Sequence, residues 1–151
     1  MSHAEASAPL SERPPFHLAF LVSDIEEARA FYRDVLGCRE GRSAPTWIDF
    51  DFYGHQIVAH LNPDAGASER GASGAVDGHN VPVPHFGVVL GIDAWEATVA
   101  RLRQHQIRFE MEPTTRFKGQ AGEQSTTFFK DPSGNAIELK AFADLGSLFA
   151  K

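Results

Sequence analysis

Apolar and polar positions along the chain fall into two kinds of period, and the two kinds alternate. The run "FHLAFLV" (16–22) reads as an apolar strand, with His17 near its start. In "SDIEEARAFYRDVLG" the apolar residues Ile25, Ala28, Phe31, Tyr32 and Val35 recur on one helical stripe. Asp24 can cap that helix, Glu27 three residues later completes a capping box, and Gly37 can end it. Two strand-like runs follow, "TWIDFDF" and "HQIVAHL", joined by a tight turn at Tyr53-Gly54.

The same order then recurs. "PHFGVVL" is a strand with His85 at its start, and "IDAWEATVARLRQHQ" is a helix opened by Asp93, with Glu96 three residues on. Its stripe is Trp95, Val99 and Leu102, and the strands "IRFEM", "STTFFKD" and "NAIELKAF" complete the copy, the last two joined by the turn "DPSGN". The cap residues Asp24 and Asp93 differ by 69 in number, and His17 and His85 by 68. Order, caps and histidines together predict an α+β chain of two tandem strand–helix–strands units. Between them, residues 62–82 are rich in Gly, Ala and Ser and read as a linker, either mobile or ordering as a lid over a ligand. A second loop, "EPTTRFKGQAGEQ", interrupts the later copy.

Composition narrows the function classes. A chain of 151 residues makes one ordinary domain, here 15–142 with modules at 15–61 and 83–142. Residues 1–14 and 143–151 read as tails. A formal charge of −6 speaks against nucleic acid as a partner. No apolar run approaches the roughly 20 residues of a membrane helix, and the first residues lack the basic start and apolar core of a secretory signal. Cys38 is the only cysteine, which excludes an internal disulfide or a thiolate cluster and fits a cytoplasmic protein. At a helix end it reads as a small packed residue.

Three residues do not suit the strands that carry them. His17 shares a strand face with Ala19 and Leu21, and His85 with Gly87 and Val89. Glu138 lies between Ile137 and Leu139, where an unpaired carboxylate is costly and a cation would remove the cost. Two imidazoles and one carboxylate form the facial triad typical of non-haem Fe(II), and the set also suits Zn, Ni, Mn or Co.

The segments "FHLAFLVSDIEEARAFYRDVLG", "PHFGVVL" and "FFKDPSGNAIELKAF" resemble the vicinal oxygen chelate superfamily. That superfamily contains glyoxalase I, fosfomycin-resistance thiol transferases, bleomycin-binding proteins and type I extradiol dioxygenases. The resemblance covers about 15–142, and "DPSGN" leading to "IEL" is its most specific element. It implies paired βαβββ modules whose mixed sheets form an open, cupped barrel around a divalent metal held by His17, His85 and Glu138.

A fourth family position stays open between two readings. Counted from the glycine of each turn, Val58 matches Glu138, which leaves three ligands as in the extradiol dioxygenases. With a register shift, His60 would supply a fourth, as in glyoxalase I. In the three-ligand reading His60 or His55 takes the part of a proton-transferring histidine. Arg116 and Lys118, and His79 in the linker, are candidate substrate contacts. The resemblance thus implies a metal-dependent enzyme, dioxygenase-like with Fe(II) favoured, acting on a small molecule chelated through neighbouring oxygens. A redox-free lyase or transferase and a metal-free binding protein of the bleomycin-resistance type are the alternatives. Homodimers are common in the family, and these residues leave that point open.

Overall fold

The computed structural model describes residues 13–66, 72–76 and 79–151. Its elements run β1 (His17–Val22), α1 (Ile25–Arg29), β2 (Arg39–Ala44), β3 (Trp47–Phe52), β4 (His55–Leu61), β5 (Ala72–Val76) and β6 (His79–Val83). The second copy follows as β7 (Phe86–Leu90), α2 (Ile92–Gln104), β8 (Phe109–Arg116), β9 (Gln124–Lys130) and β10 (Ala136–Phe142). Two four-stranded mixed sheets result, ordered β1-β4-β3-β2 and β7-β10-β9-β8. In each sheet the first strand runs parallel to the last and the others pair antiparallel. This is the duplicated strand–helix–strands order that the repeat predicts, in the βαβββ form that the resemblance implies, and neither sheet closes into a barrel.

Several local expectations need correction. Strand β2, "REGRSA", has no apolar alternation and is largely exposed; it is an edge strand held by its ladder to β3, which period-based reading cannot detect. The expected linker contains a hairpin, β5 with β6. Asp93 does not cap α2: Gly91, in extended conformation, takes that place, and Asp93 lies within the first turn, where its charge complements the helix N-terminus. Strand β8 continues through "EPTTR" to Arg116, so Arg116 belongs to a strand end rather than to a loop. Asp24 does cap α1, its Oδ1 accepting from the Glu27 N–H at 2.8 Å. After Arg29 the helix widens into π-type turns over Ala30–Val35, with the Leu36 N–H bonded to the Phe31 carbonyl. Phe31 and Tyr32 are both buried there.

One core serves both modules. Phe31, Tyr32, Ile48, Phe50 and Ile57 of the first join Trp95, Leu102, Phe129, Ile137 and Leu139 of the second. Phe86 stacks at 5.4 Å from Phe20 and 5.8 Å from Phe52. Polar bonds cross the same seam: the Tyr32 hydroxyl donates to Asp131 at 2.8 Å, and Asn135 donates to the Leu21 carbonyl. The seam lies on the helix-bearing side of each sheet; on the opposite faces His17, Ala19, Leu21, Gln56, His60 and Gly87 are exposed, while Asp49, Val58 and Phe128 are buried.

Asp131 is buried yet fully bonded, by Tyr32, by the Asn135 side chain and by the Ser133 and Asn135 N–H groups. Burial holds its carboxyl above the ordinary range, against hydrogen bonds that pull the other way. A carboxyl raised in the folded state binds its proton more tightly there than in the unfolded chain. On its account stability therefore declines as pH climbs from the unfolded value through the folded one. Tyr32→Phe removes one of the opposing donors. It should cost about 1–2 kcal/mol in urea unfolding and move the Asp131 titration, followed by carboxyl NMR, further up.

Candidate functional site

The open faces of the two sheets divide between them His17 and His60 on the first and His85, Glu138 and Arg116 on the second. In the second module, β7 and β10 pair so that Gly87 lies opposite Glu138. His85, just before β7, brings its Nε2 to 3.1 Å from Glu138 Oε2. Its Nδ1 lies 2.6 Å from the Pro82 carbonyl oxygen. A carbonyl only accepts, so Nδ1 carries the hydrogen and a neutral His85 turns a bare lone pair toward a carboxylate. Two acceptors stand that close only with a proton or a cation between them. The other carboxylate oxygen accepts from the Thr126 hydroxyl at 2.8 Å, and Phe128 packs edge-on against the imidazole at 5.0 Å.

The first module fixes its histidine by a similar logic. Asp49, buried on β3, accepts from Gln56 Nε2 at 3.2 Å, with Arg42 at 3.9 Å from the same oxygen. That bond orients the amide, so Gln56 Oε1 faces His17 Nδ1 at 2.8 Å and must accept from it. His17 is exposed, and with Nδ1 engaged its Nε2 is the ring nitrogen open to a ligand. In each module a fixed partner on Nδ1 orients the ring, and Nε2 is the nitrogen left to face Glu138 in the second module and to face no described partner in the first.

Strand register bears on the fourth position. Ala19 pairs with Val58 as Gly87 pairs with Glu138, so Val58 occupies the place of the carboxylate. His60 lies two residues further along the same face, opposite Leu21 and Trp47, and is exposed. His55 alternates to the other face of β4, and its Nδ1 accepts from the Phe16 N–H at 2.9 Å. Arg116 ends β8 opposite Gln124, and Lys118 is exposed in the following turn. His79 begins β6, paired with Val76, and its side chain lies outside the described residues.

His85 and Glu138 are brought together, and His17 is not brought to them. Among the described residues no three His, Cys, Asp or Glu side chains gather closely enough to hold a metal. Cys38 takes no part: it is buried, and burial pushes its thiol up to about 12.

A profile of the Glyoxalase/Bleomycin resistance protein/Dioxygenase superfamily matches residues 15–139. The chain belongs to that superfamily. Among solved structures it is similar to a glyoxalase/bleomycin resistance protein/dioxygenase from Alicyclobacillus acidocaldarius, 32% identical, covering 90% of this chain and 96% of the other, TM-score 0.69. The fold is shared with the fosfomycin resistance protein FosX of Listeria monocytogenes, 16% identical with 88% and 95% covered, TM-score 0.64. It is shared also with a lactoylglutathione lyase from Agrobacterium tumefaciens, 17% identical with 91% and 97% covered, TM-score 0.59. A curated relative, the anthracycline biosynthesis protein DauV of Streptomyces sp. (strain C5), is 30% identical over 129 residues. That match covers 80% of this chain, which spans only 39% of the relative. Within a superfamily that holds such different proteins, the side chains of the open faces must decide the activity. In this superfamily most members are enzymes, many bind a divalent metal, and small-molecule ligands are the rule. Among the described residues no helix is long and apolar enough to cross a membrane.

Proposed function

We propose that this chain is a metal-dependent enzyme whose divalent ion is held by His17, His85 and Glu138, with His17 supplied by a second copy of the chain. The observation that carries the reading is the approach of His85 Nε2 to Glu138 Oε2 at 3.1 Å, with His85 Nδ1 already committed to the Pro82 carbonyl. Neighbouring ligands each about 2.1 Å from one ion and at right angles stand about 3 Å apart. The donor set, two imidazoles and a carboxylate, fits Fe(II) and also Zn, Ni, Mn or Co. A second copy is invoked because the shared core directs both open faces away from the seam. Strands β1 and β7 are also the end strands of their sheets, with Ala19 and Leu21 exposed on β1 and Gly87 on β7, although the Leu21 carbonyl already accepts from Asn135.

Three protein ligands leave positions for a substrate, and Val58 in the fourth place supports three rather than four. When bound, the ion supplies Lewis-acid polarisation of a substrate chelated through two neighbouring oxygens and, if iron, redox chemistry with dioxygen. The chain's own part is to orient and to move protons. Gln56 and the Pro82 carbonyl hold the two imidazoles in the required tautomer. Thr126 fixes the Glu138 carboxylate, Phe128 shields its side of His85, and His60 is the residue of β4 free to exchange a proton with the substrate.

Metal analysis of freshly purified protein, then anaerobic Fe(II) loading and oxygen uptake with a panel of catechols, tests the reading. Iron retention with uptake is the expected result. Tight Ni or Zn binding without uptake would move the activity to a redox-free lyase, and a protein that stays metal-free under titration would leave only ligand binding. His60→Ala should keep its metal and lose about 10²–10⁴-fold in turnover; metal loss in that variant would favour four ligands. Gln56→Leu, which frees the ring of His17, should weaken metal binding by about 10–100-fold in a competition titration while leaving the urea midpoint near wild type.

A further inference from the structure

The open face of the second sheet carries a cation that the metal reading does not use. Lys140 follows Glu138 by two residues on β10, so both side chains leave the same face, about 7 Å apart along the strand. It is opposite Val89 on β7 and Thr126 on β9, inside the ladder rather than at its edge, and it is half-buried. Among the described residues no carboxylate lies within ion-pair distance of it and its ammonium makes no hydrogen bond. A long cationic side chain is uncommon on a central strand, and partial desolvation without a partner is unfavourable unless an anion arrives. Arg116 occupies the next row of the same face, opposite Gln124. The chain as a whole carries −6, yet Lys140 sets a cation on this face beside the carboxylate that the metal would engage.

We infer that Lys140 is a specificity-determining residue that binds a carboxylate of the substrate. The substrate class is then a small compound with two neighbouring oxygens at one end and a carboxylate at the other. The inference rests on the metal reading for the position of the oxygen pair, and it deepens that reading by naming the second anchor. Zn(II)-loaded protein, which cannot turn over a catechol, is titrated calorimetrically with catechol and with 3,4-dihydroxybenzoate. Wild type should bind the carboxylate-bearing ligand at least about tenfold more tightly. Lys140→Met should bring the two affinities together with zinc content and catechol affinity unchanged, and Lys140→Arg should keep most of the preference. Equal affinities in wild type, or a preference that survives Lys140→Met, would overturn the carboxylate subsite and leave the metal reading standing. If zinc is not retained but the Lys140-dependent preference persists, the subsite stands and the metal reading falls. Binding of neither ligand overturns both.

Discussion

Mixed His17→Ala and Glu138→Ala chains should recover metal and activity that neither variant has alone. Each single substitution removes a direct ligand. It should weaken metal binding beyond the roughly 10–100-fold typical of losing an outer partner, and His85→Ala should be as severe as His17→Ala. If a site joins His17 of one copy to His85 and Glu138 of another, a symmetric dimer has two such sites. A heterodimer of the two variants then keeps one intact site and one lacking both substitutable ligands. Random reassociation makes half of the dimers heterodimers, so about a quarter of the wild-type sites should return. Dissociation in mild urea, mixing and dilution, followed by metal analysis and oxygen uptake, measures this. No recovery would place all three ligands within one chain, and a His17→Ala protein that retains its metal would remove His17 from the set. The structure motivates the experiment because His85 and Glu138 already face one another across two ladder strands, while His17 is fixed by Gln56 on the other sheet.

The duplication was legible because it is written in periodic burial. The helices and the inner strands β3, β4, β9 and β10 each bury an apolar face, and that requirement leaves a 3.6- or 2-residue signature. Strand β2 escapes it, being held by one ladder with little burial of its own. The end of β8 escapes it too, because "EPTTR" is paired along the sheet yet polar. The three ligand candidates stood out for the opposite reason, as polar residues in strands otherwise apolar. Two things were not legible. The partners that set each imidazole, Gln56 and Asp49 for His17 and the Pro82 carbonyl for His85, come from register and turn geometry rather than residue type. Which halves of a site share a chain depends on how the modules pack, and the seam through Tyr32, Phe86 and Asp131 has no period to betray it. Lys140 shares the open face with Glu138, but an exposed-looking lysine near a chain end carries no signal until β10 is seen to lie inside the sheet.

Gly87→Ala should be the most damaging single-methyl change on the open face. A Cβ at residue 87 would stand 1.6 Å from the Glu138 carbonyl oxygen and 2.6 Å from its carbonyl carbon. Both are main-chain atoms, so no rotamer change relieves the clash, and β7 and β10 must separate at the register pair that carries Glu138. A glycine within a strand marks such a close approach of two backbones. The expected cost is about 3 kcal/mol or more, the upper end of what an inserted methyl does in a packed region. Urea unfolding measures it, with Gly122→Ala as the control because nothing lies within 4 Å of the Cβ it would add. That control should stay within about 0.5 kcal/mol of wild type. The same displacement moves Glu138 relative to His85, whose contact spans 3.1 Å. Metal affinity measured at low temperature, where Gly87→Ala is still folded, should therefore fall along with stability. An alanine variant as stable as wild type would mean that the strands do not approach this closely. Lost stability with undiminished metal binding would mean that the Glu138 carboxylate is positioned by Thr126 rather than by the β7–β10 register.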